Sequence, residues 1–244
     1  MKSVSIIDYG KGNVRSVYNA LDYIGVEAIV TKDPKEINNS SHIILPGVGA
    51  YGDAMKSIRD YGLDEVLCEQ VINKGKPFLG VCVGMQVLSS VGFEHGEHKG
   101  LGWLDATVIK LEKGPECLKI PHMGWNKINL SSEHSLFKGF NDEMLVFYFV
   151  HSFFMKTKEN DKILASCQYG INFTAGVAWD NIIATQFHPE LSESDNKRRF
   201  ARYMPIYGKL FGEDKAIERM ESHRPSIEAN ELLRKFRDYV QDLK

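Results

Sequence analysis

The run Pro77-Phe78-Leu79-Gly80-Val81 has no polar side chain at either alternation of a strand. A strand that is apolar on both faces has to be covered on both, and that is the setting of a central strand in a parallel sheet. Parallel neighbours are joined by crossovers, usually helical, so this run argues for helices on both faces of the sheet. The sequence before it has the required alternation. Val4 to Asp8 reads as a buried first strand ending in the turn Gly10-Lys11-Gly12. Val14, Val17, Leu21 and Ile24 then fall at helical spacing, and Gly25 stops that helix. Val26 to Thr31 and His42 to Leu45 read as the next two strands. Ala54, Ile58, Val66, Leu67 and Val71 predict helix, broken near Gly62, and another helix is expected after Cys82. The fold class expected is α/β, an open and largely parallel central sheet with right-handed crossovers.

The second half is richer in strands. Candidates are Leu104 to Leu111, Lys127 to Leu130, Leu145 to His151, Ile163 to Gln168, Phe173 to Trp179 and Ile182 to Phe187. Asn172 and Asp180-Asn181 separate neighbouring candidates as hairpin turns do. A helical pattern is expected from about Asp195 to Tyr207. Beyond Gly208 the chain is dense in charge yet periodic, with Ser226 placed to cap a helix that carries Leu232, Leu233, Phe236, Tyr239, Val240 and Leu243 on one face. The expected organisation is one domain over 1–207 and an appended helical extension over 208–244.

Composition excludes several function classes. Lys plus Arg is 30 and Asp plus Glu is 32, a net charge of -2, which leaves no electrostatic footprint for nucleic acid or an anionic membrane. No apolar run approaches the roughly 20 residues of a membrane helix. Asp8 cuts the N-terminal apolar stretch too short for a signal peptide. Cys68, Cys82, Cys117 and Cys167 form no CxxC pair and no zinc spacing, so neither a disulfide framework nor a metal site or other cofactor is expected, and the expected compartment is the reducing cytoplasm.

Three stretches carry chemistry. Gly80-Val81-Cys82-Val83-Gly84 has the form of a nucleophile elbow with Cys in the place of Ser, preceded by an apolar strand and followed by the helix-compatible Met85-Gln86-Val87-Leu88. A thiol on such a strand-to-helix turn gains from the helix N-terminus, whose N–H groups favour the thiolate and face a developing oxyanion. A buried structural cysteine beside turn glycines is the alternative. Gln186-Phe187-His188-Pro189-Glu190 follows another apolar strand. A thiol nucleophile needs a base, and the base needs an acceptor that orients its second ring nitrogen. His188 and Glu190 supply both from one loop stiffened by Pro189, with a surface turn as the alternative. Pro46-Gly47-Val48-Gly49 ends the His42–Leu45 strand. Its glycines suit a backbone that approaches a ligand or an oxyanion, and equally a plain turn. Ligands in open α/β sheets bind beyond the carboxyl ends of the strands, and all three stretches are expected at that edge.

Taken together, these elements resemble the class I (triad) glutamine amidotransferases, and among them the glutaminase-subunit type of imidazole glycerol phosphate synthases. The similarity runs from about residue 4 to 205. It also includes Asp8-Tyr9-Gly10, Gly12-Asn13, Gly52-Asp53-Ala54-Met55, Pro121-His122-Met123-Gly124-Trp125-Asn126 and Tyr148-Phe149-Val150-His151-Ser152. The resemblance implies that Cys82, His188 and Glu190 hydrolyse glutamine to glutamate. The amides near Val83 and in the Gly47-Val48-Gly49 loop would hold the oxyanion, and Gln86 with the backbone at His151 and Ser152 would position the substrate. It implies a partner, a (β/α)8-barrel synthase docked as a heterodimer, which takes up the ammonia through a closed channel. The acceptor in that family is a phosphorylated ribulosyl-formimino-aminoimidazole-carboxamide ribonucleotide, and the products are imidazole glycerol phosphate and an aminoimidazole carboxamide ribotide. Asn13, Met123, Trp125 and Asn126 would lie near the interface. For Trp125, read as lying on a loop, core packing is the alternative.

Two departures stand out. Val83 occupies a position that is usually leucine in the family, and the family pattern ends near Tyr207, before the extension. Two competing enzyme readings remain at this point. One is a paralogous amidotransferase subunit supplying ammonia for surface-sugar biosynthesis of the lipopolysaccharide type. The other is a stand-alone Cys hydrolase on the same kind of sheet. A catalytically dead scaffold is poorly supported while Cys82, His188 and Glu190 are all present.

Overall fold

The structure is a computed structural model that describes residues 3–114, 118–131, 133–142, 145–191, 232, 233, 235 and 236. The first half alternates as expected. Strand β1 (Val4–Ile7) leads into helix α1 (Val14–Tyr23), β2 (Ala28–Thr31), α2 (Pro34–Asn39), β3 (His42–Gly47) and α3 (Tyr51–Asp60). Gly62, in the left-handed region at φ 64°, separates α3 from α4 (Leu63–Leu67), which runs on into a π-helical segment at Cys68–Asn73. Helix α2 lacked an apolar pattern in the sequence. It starts with Asp33, whose carboxylate accepts the Lys35 amide at 2.8 Å, followed by Pro34 in the first helical turn.

Strand β4 (Phe78–Cys82) is buried at every residue, as its apolar run requires. The helix expected after Cys82 is a single turn, α5 (Val83–Gln86), because the chain turns at once into β5 (Ser89–Gly92). Strands β6 (His98–Lys99) and β7 (Leu104–Lys110) follow. Next come β8 (His122–Leu130), β9 (Val146–His151), β10 (Phe153–Thr157), β11 (Ile163–Tyr169), β12 (Ile171–Trp179) and β13 (Ile182–Thr185). Strand β8 begins five residues before the predicted Lys127, so the Pro-His-Met-Gly-Trp-Asn stretch is largely strand and Trp125 is not on a loop. It pairs with β9, with Trp125 opposite Tyr148 and His122 opposite His151.

The central sheet has nine strands in the order β2-β1-β3-β4-β13-β12-β11-β8-β9. The five from β2 to β13 are parallel, and the remaining pairs are antiparallel. A second sheet, β10-β7-β5-β6, was not foreseen. In the parallel register Gly47 lies opposite Cys82 and Val81 opposite Thr185. The three candidate stretches therefore leave adjacent strands at one carboxyl edge. One apolar core unites both halves.

Of the 208–244 extension, Leu232, Leu233 and Phe236 are helical and buried against the domain core, with the Phe236 ring 5.7 Å from that of His42. Lys235 lies over Phe140 and donates to the Lys138 carbonyl. The rest of the extension, and the helix expected over Asp195 to Tyr207, lie outside the described residues. Among the described residues no helix is long and apolar enough to cross a membrane, and no cluster of His, Cys, Asp and Glu is arranged to hold a metal.

Candidate active site

Cys82 sits at φ 56° and ψ -111°, a conformation that costs a non-glycine residue about 1–3 kcal/mol. Its surroundings enforce it. A Cβ on Gly84 would lie 1.8 Å from the Leu45 carbonyl oxygen, and one on Gly80 would lie 2.8 Å from the Gly84 carbonyl oxygen. Both positions require glycine because backbone meets backbone there. The elbow therefore packs directly on β3 and presents the Cys82 sulfur at the start of α5.

His188 reaches the same place from the β13 side. Its backbone N–H donates to the Tyr148 carbonyl at 2.9 Å, which ties the loop to β9. Its Nδ1 is 2.8 Å from Glu190 Oε1, and both side chains are buried. A carboxylate accepts, so the proton is on Nδ1 and the neutral ring offers Nε2 as the base. Nε2 makes no hydrogen bond of regular geometry to the described residues, yet Cys82 is near enough to interact with the ring. Apo sites commonly hold such a contact long until substrate arrives. Burial presses the imidazolium down, but the Glu190 carboxylate and then the Cys82 thiolate outweigh it and raise the pKa to about 10.

Around the sulfur lies a cavity of about 230 Å³, lined by Val48, Gly49, Val83, Gln86, His151, Ser152, Phe153 and His188 among others. That is below the roughly 300–1,000 Å³ of drug-sized ligand sites and suits a small metabolite. Gly49 is in the left-handed region at φ 98°. A Cβ on Gly47 would lie 2.7 Å from the Gly84 amide nitrogen, the Val83 Cβ and the Tyr9 hydroxyl, so β3 and the elbow approach closely there. Burial, and then the charge of Cys82, push the Tyr9 hydroxyl's pKa upward. Glu94 also lines the cavity, and its carboxylate accepts the Tyr51 amide at the start of α3 at 2.8 Å. The sequence reading missed it, because nothing local distinguishes this glutamate from its neighbours.

The four residues assigned to a partner face are placed differently from one another. Met123 is exposed. Trp125 packs edge-on against Tyr148 at 5.6 Å. Asn126 donates to the Gln168 carbonyl at 3.0 Å. Asn13 precedes α1 and donates to Glu190 Oε1 at 3.4 Å while its own oxygen accepts from Ser16 at 2.8 Å, so it braces the carboxylate behind His188.

The chain matches the family model for glutamine amidotransferase class-I over residues 5–204. It is 49% identical over 208 residues to imidazole glycerol phosphate synthase subunit HisH 2 of Nitrobacter winogradskyi, an alignment covering 84% of this chain and 98% of that protein. It is 42% identical to HisH 2 of Pseudomonas aeruginosa, over 83% of this chain and 99% of the relative. To the HisH subunit of Desulfitobacterium hafniense it is 43% identical over 91% and 99% of the two chains. A solved glutamine amidotransferase of Thermotoga maritima superposes with a TM-score of 0.64 at 17% identity, covering 98% of this chain and 97% of that one. With the fold, the elbow and the match in agreement, the chain belongs to the class I glutamine amidotransferases.

Proposed function

We propose that the chain is the glutaminase subunit of an imidazole glycerol phosphate synthase, hydrolysing glutamine and passing ammonia to a (β/α)8-barrel synthase in a cytoplasmic heterodimer that serves histidine biosynthesis. The observation that carries the reading is the convergence of the Cys82 thiol, the His188 imidazole and the Glu190 carboxylate at one carboxyl sheet edge, in a chain whose HisH relatives align over nearly their full length.

The thiolate of Cys82 attacks the carboxamide carbon of glutamine, and the carbonyl π pair moves onto oxygen. Amides of Val83 and of the Gly47-Val48-Gly49 loop receive that oxyanion once the loop completes its turn toward it. The C–N bond then breaks, His188 gives the leaving nitrogen its proton, and ammonia departs. Water, deprotonated by His188, attacks the γ-glutamyl thioester, and the C–S bond breaks to release glutamate and restore the thiolate. Glu190 holds the ring tautomer throughout, and Asn13 braces Glu190. Glu94, inside the cavity, suits the α-ammonium of the substrate, and Gln86 with the backbone at His151 and Ser152 borders the rest. Met123, Trp125 and Asn126, on a strand near the sheet edge, form part of the face toward the synthase.

Co-purification with a barrel-type synthase, followed by glutamate release with and without the acceptor nucleotide, tests this. Release that rises on adding acceptor is expected. Strong release by the isolated chain, unmoved by the synthase, would favour a stand-alone hydrolase instead. Rescue of a histidine auxotroph by the chain with its synthase separates histidine biosynthesis from surface-sugar amination.

A further inference from the structure

Gln186 is fully buried and makes both of its amide contacts inside the site. Its Nε2 lies 3.6 Å from the Cys82 sulfur, a hydrogen-bonding distance for so large an acceptor atom, and its Oε1 accepts from Gln86 Nε2 at 3.0 Å. Gln86 Nε2 donates its second hydrogen to the Phe153 carbonyl at 2.9 Å. The same carbonyl faces His151 Nδ1 at 3.0 Å, and His151 Nε2 faces His122 Nδ1 at 3.1 Å. His122 Nε2 faces Asn126 Nδ2 at 3.4 Å.

Donor and acceptor roles along this path follow from its fixed points. A carbonyl only accepts, so His151 carries its proton on Nδ1 and its Nε2 must accept. His122 therefore donates through Nδ1 and accepts at Nε2, where Asn126 supplies an N–H. Gln86 is oriented likewise: turned over, its oxygen would face the Phe153 oxygen. Its nitrogen therefore faces Gln186 Oε1, which leaves the Gln186 nitrogen, and not its oxygen, toward sulfur. Each amide and ring has one allowed orientation, and the last member delivers an N–H to the nucleophile.

We infer that Gln186 is a positioning residue for the Cys82 sulfur, held in its donating orientation by Gln86, which the fixed Phe153 carbonyl orients in turn. This rests on the glutaminase reading only for its benefit to turnover. A donor aimed at sulfur favours the thiolate and fixes the direction in which it attacks.

The test is alkylation of Cys82 by iodoacetamide across pH in the full-length chain, followed by peptide-resolved mass spectrometry, with exposed Cys68 as internal control. Among the described residues the titratable groups around the sulfur are His188, Tyr9, His151 and Glu94, and none of them is substituted in these variants. Gln186→Met keeps the bulk and loses the donor. Its midpoint for Cys82 alkylation is expected to move up by about one pH unit, with about tenfold slower labelling at neutral pH and an unchanged Cys68 rate. In glutamine turnover kcat falls by a similar factor while KM holds. Gln186→Glu keeps an acceptor for Gln86 but sets a carboxylate against sulfur, so its midpoint moves up further. Gln86→Met removes the residue that orients Gln186 and shifts the midpoint in the same direction by less. Thermal unfolding checks that each variant is folded, and the Gln86 variant supplies the readout should Gln186→Met fail to fold. Midpoints equal to wild type in the folded variants would overturn the inference. Shifted midpoints in a chain that releases no glutamate even with its synthase and acceptor would instead sink the glutaminase reading and leave the positioning role standing.

Discussion

His188 Nδ1 and Glu190 Oε1 stand 2.8 Å apart with both side chains withdrawn from solvent. Their pairing governs how far the site's chemistry extends into alkaline pH. Burial lowers the His188 pKa, and the Glu190 charge followed by that of Cys82 raises it past its ordinary value to about 10. The folded pKa thus lies above the unfolded one of about 6.5. The stability this ring contributes is fully present below about 6.5 and is lost as pH rises through about 10. On the proposed mechanism, the acid that protonates the leaving ammonia is kept over the same range. In Glu190→Gln the raising charge is gone, and the amide can present an N–H to Nδ1, which moves the ring proton to Nε2. Acylation by glutamine should fall by about 10²–10⁴-fold, and its alkaline limb should move to lower pH. A limb that stays in place would mean Glu190 does not set the ring's charge.

Cys82 makes a separate stability prediction. Its φ of 56° and ψ of -111° hold about 1–3 kcal/mol of strain, which glycine would not pay. Against this, glycine loses about 0.4–1 kcal/mol through the freer unfolded chain. Cys82→Gly should therefore be more stable than Cys82→Ala by roughly 1 kcal/mol in chemical denaturation. Both should lose glutamine-dependent synthesis in the complex and keep synthesis from added ammonia. Loss of both activities would make Cys82 structural.

Gly84 tests the close packing beneath the elbow. An added methyl would lie 1.8 Å from the Leu45 carbonyl oxygen, and neither backbone segment can rotate away as a side chain would. Gly84→Ala should be among the most destabilising substitutions in the chain. Gly10, at φ 78° with open space around it, should tolerate alanine at about 1 kcal/mol. Equal melting temperatures for the two variants would show that β3 yields at the elbow.

What the sequence revealed of this site was what is local in it. The elbow was readable because Gly80, Cys82 and Gly84 sit within one turn, each for a steric reason a short motif records. His188 and Glu190 were readable because they are two residues apart on a stiff loop. Gln186 stood next to that motif, but its partners Cys82 and Gln86 are 104 and 100 residues away, and only the pairing of β13 with β4 brings them together. Glu94 was hidden for the same reason. Its place in the cavity depends on a contact 43 residues away in sequence, with the Tyr51 amide at the start of α3. The helix expected after Cys82 stops after one turn because Ser89, Val91 and Gly92 pair as strand against β7. Trp125 was read on a loop because Gly124 and Asn126, which flank it, are turn formers, whereas cross-strand pairing of both with β9 overrides that preference.

His122 makes the acid side of the stability curve predictable. Its ring stacks on Phe149 at 4.7 Å and on Tyr169 at 3.9 Å, and burial lowers its pKa to about 4. His151 is lowered to about 3, by burial first and then by His122. Both rings are neutral in the folded protein at pH values where the unfolded chain already binds protons. Their contribution is intact above about 6.5 and is lost as pH falls toward 4 and then 3. His122→Phe keeps the stacking and removes one of the two titrations. It also takes the donor from His151 Nε2, which costs about 1–3 kcal/mol at neutral pH if that nitrogen stays buried and unpaired. The variant should therefore be less stable than wild type at pH 7.5 and lose less on going to pH 5, as read from urea midpoints at both values. Parallel loss in the two proteins would mean that His122 is protonated in the fold and donates from both nitrogens, which would also reverse the direction of its bond with Asn126.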